Sequence, residues 1–233
     1  METSVDEIAP QIYRFSTFIP QAGIVFNQFL IDADEPLLFH TGQRQLFPQV
    51  QKALARVIEP ARLRWITFSH YEADESGAMN EWLNVATEAT IAHGTIGCRT
   101  SINDQANRQP RSLEDNDIFD LGGKRVRYIA TPHLPHGWDA GLIYEETTKT
   151  LFTSDLFTRR GDDGPETEAD IVGPALVMED HGHATALTPS TAPTLRRLAE
   201  LPIDALALMH APVYRGDGPQ ALRDLADAYE QRL

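Results

Sequence analysis

The sequence predicts an α+β protein, one domain of β-sheets covered by helices, and three observations carry that expectation. Runs with strand and helix periods alternate along the whole chain. No fixed-period repeat and no low-complexity linker divides it, so residues 1–233 are expected to form a single domain. The 233 residues, with 42% hydrophobic and 23% charged side chains and 15 each of Gly and Pro, are enough for a substantial core in an ordinary globular composition. Disordered, collagenous and coiled-coil classes are thereby excluded.

The elements follow in order. Gly23 to Ile31 (GIVFNQFLI) reads as a strand, Asp34-Glu35-Pro36 as a turn and Leu37-Leu38-Phe39 as the hairpin partner. Leu46, Val50, Leu54 and Val57 then fall three or four apart until Glu59-Pro60, the pattern of an amphipathic helix. Arg64 to Ser69 (RWITFS) is a short β-rich run, followed by a polar stretch and a second helical pattern through Met79, Trp82, Leu83 and Ala86. Residues 101–117 are polar, carry Pro110 and read as a loop; Ile118 to Leu121 and Lys124 to Ala130 form a hairpin about Gly122-Gly123. Gly141 to Tyr144 and Thr150 to Ser154 are two further strands. Residues 160–185 show little periodicity and read as a loop or lid. A helix near 192–200, the apolar strand Ile203 to Met209 and a helix patterned by Leu222, Leu225, Ala226 and Tyr229 complete the chain.

Charge and cysteine usage narrow the function classes. Lys plus Arg number 20 against 34 for Asp plus Glu, a net charge of −14 that repels a phosphate backbone or an anionic membrane surface. Nucleic acid is not expected as a partner. Cys98, the single cysteine, forms no intrachain disulfide and cannot supply a four-cysteine zinc, rubredoxin-type or iron–sulfur site. The acidic start Met1-Glu2-Thr3-Ser4-Val5-Asp6-Glu7 has no basic or apolar targeting pattern, and no apolar run approaches the about 18 residues that span a bilayer. A cytoplasmic protein with no membrane partner is expected.

The chemistry-bearing residues gather at strand ends. His70 follows RWITFS, His133 and His136 follow the strand ending at Ala130, Asp155 follows TLFTS, and His210 follows IDALALM. In an extended Ser69 to Gly77 segment His70, Glu72 and Asp74 alternate and share one face. With His136, Asp155 and His210 the set has three imidazoles and three carboxylates, too many for one tetrahedral zinc and a natural count for two metals sharing a carboxylate.

The His-x-Glu-x-Asp run, a later His three residues before Asp139, an Asp after a strand and a final strand-end His resemble the metallo-β-lactamase fold in its flavodiiron branch, over about residues 10 to 230. The resemblance implies an αββα four-layer sandwich of two mixed β-sheets covered by helices, with a non-haem di-iron site that binds and reduces oxygen. It assigns His70, Glu72 and His136 to the first metal and Asp74 and His210 to the second, with Asp155 bridging. Two His and one carboxylate leave open positions on Fe(II), and Glu72, where hydrolytic members have His, suits iron better than zinc, which remains the alternative.

The chain departs from that pattern in places. A His often follows the motif Asp, and here Glu75 stands there, leaving three alternatives: the second metal gains a carboxylate, takes water or is held more weakly. His40, where many relatives have Asp, is either a structural histidine or a partner of a ligand. His133 competes with His136, because Pro132-His133 is similar to the Pro-Gly-His of the hydrolases while the spacing to Asp139 favours His136; the other is expected behind the ligands. His181 and His183 read as lid residues, His93 as surface, the acidic run from Asp162 to Asp170 as a solvated face, and Trp82 and Trp138 as core and pocket wall. The flavodoxin-like domain of the branch has no counterpart in these residues, so no flavin is expected in this chain. The implied partners are O₂ or another small molecule, a separate reductase and a second copy in a homodimer. A metal-dependent zinc hydrolase of ester, lactone or amide bonds, with Asp74 as ligand and proton acceptor, is the competing expectation.

Overall fold

Alternating side chains along the strands build the molecule in layers. In the computed structural model, which describes residues 2–233, the first sheet joins β1 (Thr3–Ala9), β2 (Ile12–Ile19), β3 (Ile24–Ile31), β4 (Leu37–Phe39), β5 (Trp65–Thr67), β6 (Thr90–Gly94) and β7 (Arg111–Leu113) in sequence order. The second holds β8 (Ile118–Asp120), β9 (Arg125–Ala130), β10 (Gly141–Glu145), β11 (Thr150–Phe152), β12 (Glu166–Thr167), β13 (Ala205–Ala207) and β14 (Val213–Tyr214) in the order β12-β14-β13-β11-β10-β9-β8. Both sheets are mixed: β1 to β4 and β8 to β11 pair antiparallel, while β4 to β7 and the β11–β13 pair run parallel.

Helices cover the outer faces. They are α1 (Phe47–Leu54), α2 (Ala73–Ser76), α3 (Met79–Val85), α4 (Thr95–Gly97), α5 (Asn103–Gln105), α6 (Val172–Gly182), α7 (Thr191–Leu198) and α8 (Gly218–Glu230). Because a strand turns successive residues to opposite faces, Phe29 and Ile31 of β3 enter the layer between the sheets while Phe26 and Leu30 pack with Val50, Leu54 and Trp82 beneath the helices. In the second sheet Ile143 and Phe152 face inward, and Leu142, Leu151 and Leu206 face α7 and α8. Phe152 meets both Phe29 and Phe39 edge to face across the sheets, at 5.4 and 5.5 Å between ring centres. Three buried layers thus separate helix, sheet, sheet and helix, the αββα order implied by the resemblance.

Several elements differ from the sequence reading. The strands β1, β2, β6, β7, β12 and β14 add to those expected, and β7 falls inside the stretch 101–117 read as a loop. With two or three residues each, β7, β12 and β14 carry too few side chains for a period to show. The segment 160–185 is likewise not a featureless loop, since it holds β12 and α6. The apolar residues of α6 do not gather on one stripe: Ala175 is buried whereas Val177 is exposed. Among the described residues no helix is long and apolar enough to cross a membrane.

Candidate metal centre

Strand geometry brings the ligand candidates to one edge. The β11–β13 pairing is parallel and continues past both strands, with Thr153 N–H donating to Ala207 O at 3.0 Å and Met209 N–H to Ser154 O at 3.1 Å. Asp155 and His210 therefore emerge side by side. The Asn27 side-chain amide donates to Leu208 O and Ala211 O, both at 2.8 Å, and fastens the His210 turn to β3 of the other sheet. Gly141 N–H donates to Ser69 O at 2.9 Å, joining the His70 loop to β10.

Within this frame two donor groups form. One contains His70, Glu72, His136 and Asp155, the other Asp74, Asp155 and His210, with the donor atoms of each group within 4.8 Å of one another. Glu72 Oε2 lies 3.0 Å from His70 Nε2 and 2.7 Å from His136 Nε2. Asp155 belongs to both: Oδ2 is 3.6 Å from each of those two ring nitrogens, and Oδ1 is 3.2 Å from His210 Nε2, itself 3.3 Å from Asp74 Oδ2. Glu72 is extended, but Asp74 lies in the first turn of the short helix α2. The shared extended face expected for 70, 72 and 74 thus stops at Glu72, and the helical turn sends Asp74 into the other group.

The carboxylates raise the imidazoles they face, and the imidazoles lower Glu72 in turn. Burial alone would lower the His70 imidazolium, but Glu75, Glu72 and Asp155 outweigh it and push the ring up to about 10. Burial of His210 is likewise overcome by Asp155 and Asp74, again to about 10. The bond to Glu72 raises His136 as well, and those from His136 and His70 hold the Glu72 carboxyl well below the usual carboxylate range. Among the described residues no Lys or Arg pairs with Glu72, Asp74 or Asp155. Asp155 Oδ1 is buried and receives no well-directed hydrogen bond even with His210 at 3.2 Å. Three carboxylates converging on three imidazoles, with one buried oxygen left without a donor, fit divalent metal ions. His210 Nδ1 faces Val25 O at 2.9 Å, which holds that proton and leaves Nε2 for the cluster. A cavity of about 220 Å³ opens over Glu72, Asp74, Asp155 and His210, walled by Phe157 and Met178.

The remaining candidates lie elsewhere. Glu75 is fully buried and turned away from both groups, accepting from the Ser69 and His70 backbone N–H groups at 2.7 and 2.8 Å and from the Ser154 hydroxyl. His40, also fully buried, places Nδ1 3.4 Å from Glu75 Oε2. His133 is exposed and in neither group, so it does not lie behind the ligands; its backbone, at φ 69°, closes the turn by donating to Gly137 O. His93 is buried rather than at the surface, with Nε2 4.0 Å from Asp139, because β6 is an inner strand of its sheet. Trp82 is buried in the core, and Trp138, 61% exposed, walls a surface pocket beside Asp115 and Tyr128 rather than the cavity over the donor groups. His181 and His183 are exposed at the end of α6. Asp139 is the structural residue that the sequence reading used only as a spacing mark: it accepts from Tyr71 N–H at 2.9 Å and so ties the His136 loop to the His70 loop.

Comparison with known proteins gives the same fold. The chain superposes on the rubredoxin oxygen:oxidoreductase of the anaerobe Desulfovibrio gigas with a TM-score of 0.84 at 15% identity, over 98% of this chain and 62% of that one. It superposes on a metal-soaked flavodiiron core from Synechocystis with a TM-score of 0.82 at 23% identity, over 99% and 60%. An anaerobic nitric oxide reductase flavorubredoxin from Klebsiella pneumoniae is 25% identical over 225 residues, 91% of this chain and 46% of the relative. The chain spans less than half the length of the curated relatives it matches. The family model described as ODP family beta lactamase matches residues 24–205. With that match over more than half its length, on an αββα scaffold of two mixed sheets that is similar in fold to flavodiiron cores, the chain belongs to the ODP family of beta lactamases.

Proposed function

We propose that the chain is a non-haem di-iron oxidoreductase domain that binds dioxygen and reduces it with electrons from a separate donor. The carrying observation is the pair of donor groups sharing Asp155. In this reading His70, Glu72 and His136 hold one iron, Asp74 and His210 the other, and Asp155 both. Two irons there would supply electrons and open coordination positions for a small diatomic ligand. The three carboxylates offset three of the four positive charges of two ferrous ions. Val25 O keeps the His210 ring in one tautomer, and Phe157 and Met178 give the cavity an apolar wall. Reduction of O₂ to water takes four electrons and two ferrous ions yield two, so turnover draws on a further donor. The relatives' names support an oxidoreductase; one names nitric oxide, so NO belongs beside O₂ in the test.

The test is stopped-flow absorbance of the anaerobically reduced, iron-loaded protein mixed with O₂ or NO. An absorbance change with O₂, and sustained O₂ consumption only when a reductase is supplied, is expected. No change with either gas, together with zinc-dependent hydrolysis of an ester or lactone that is lost in Asp74→Asn, would make the chain a hydrolase.

A further inference from the structure

Glu75 stands immediately after the motif aspartate, yet it is fully buried and belongs to neither donor group. Oε2 is fixed by two backbone donors, Ser69 N–H at 2.7 Å and His70 N–H at 2.8 Å. That fixes the direction of Oε1, which accepts from the Ser154 hydroxyl and lies 3.4 Å from His70 Nδ1. The backbone carbonyl of the same residue accepts from Thr41 N–H at 2.6 Å and from the Thr41 hydroxyl at 2.9 Å. The ends of β4, β5 and β11 thereby meet on one residue, and two of them lead into His70 and Asp155.

A buried carboxylate is costly unless something uses its charge. Among the described residues its charged-pair partners are His40 and His70 alone, with no Lys or Arg. A His that binds a metal through Nε2 must keep its proton on Nδ1, and that proton needs an acceptor. Among the described residues, besides Glu75 Oε1, only Ser69 Oγ, at 3.3 Å, pairs with His70 Nδ1. We infer that Glu75 is a positioning residue of the metal centre: its carboxylate registers the loops carrying His70 and Asp155 and turns His70 so that Nε2, not Nδ1, faces the donor cluster. With Glu75 turned inward, the Asp74 side of the centre keeps three protein donors against four on the His70 side.

The inference rests on the metal reading above, and its test separates the two. Zinc is the diamagnetic probe, its affinity measured by competition with a chromophoric chelator and the imidazole N–H resonances of the loaded protein followed by NMR. Glu75→Gln keeps the shape and removes the charge; it should weaken the tighter zinc site by about 10- to 100-fold and shift or broaden the His70 Nδ1–H resonance. Ser154→Ala should weaken zinc binding less and keep that resonance. A folded Glu75→Gln protein with wild-type affinity and an unchanged His70 resonance overturns the positioning role. Should Glu75→Gln fail to fold, Ser154→Ala decides, and unchanged affinity in it overturns the role. Wild-type protein that takes up neither zinc nor iron overturns the metal reading and this role together.

Discussion

Three residues apart on one loop, His133 and His136 end in different surroundings. His136 Nε2 is 2.7 Å from Glu72, whereas the His133 side chain is exposed. His136→Ala should therefore lose iron from the loaded protein, and His133→Ala should keep the wild-type metal content by elemental analysis. Between them and Asp139, Gly137 has φ 77°, and a Cβ there would lie 2.9 Å from Asp139 Oδ1 and 3.4 Å from His70 Cβ. Gly137→Ala should cost about 1–3 kcal/mol of stability, read from the denaturation midpoint, because the left-handed backbone and the close approach both penalise a side chain. The Glu72→His variant should shift metal preference from iron toward zinc in competitive loading, since imidazole is the softer donor. Residue spacing indicated all six members of the two donor groups, yet it said nothing of the direction of Glu75. His40 and Glu75, two separate departures in sequence, face each other at 3.4 Å and form one buried pair. Sequence adjacency cannot show a contact between positions 35 apart.

Hairpins and helix ends set what can be read at the scale of elements. The Gly122-Gly123 hairpin was readable because both glycines take positive φ, 75° and 90°, which a turn with that dipeptide requires. The helix α6 was not, since its apolar residues lack a single stripe. The β10–β11 turn supplies a prediction about pH. Burial alone would raise the Glu145 carboxyl, but hydrogen bonds from the Thr148 hydroxyl at 2.6 Å and from the Thr148 and Thr147 N–H groups at 2.8 and 2.9 Å hold it below its ordinary value. Its contribution is complete above the ordinary carboxylate pKa of 4.5 and is lost as pH falls through the lower folded-state value. Glu145→Gln should cost about 1–3 kcal/mol at neutral pH and flatten the acid limb of stability against pH, measured by urea denaturation. An acid limb as steep as wild type would contradict this.

Two sheets pressed face to face make the site possible, because its donors arrive from both. His70 and Glu72 follow β5 of the first sheet; His136, Asp155 and His210 follow β9, β11 and β13 of the second. The inter-sheet layer sets their separation. Phe152, fully buried and packed against Phe29 and Phe39, should cost about 3–5 kcal/mol when cut to Ala, and metal affinity should fall with stability. In the proposed di-iron reading, six residues from these two sheets hold two irons. The most direct measurement is the iron content of protein expressed with iron and purified anaerobically, beside Asp155→Ala. On that reading, about two irons per chain are expected in the wild type, with zinc minor, and a sharp loss of both irons when the shared carboxylate is removed. Zinc equal to or above iron in the wild type, or an undiminished pair of irons in Asp155→Ala, would contradict it.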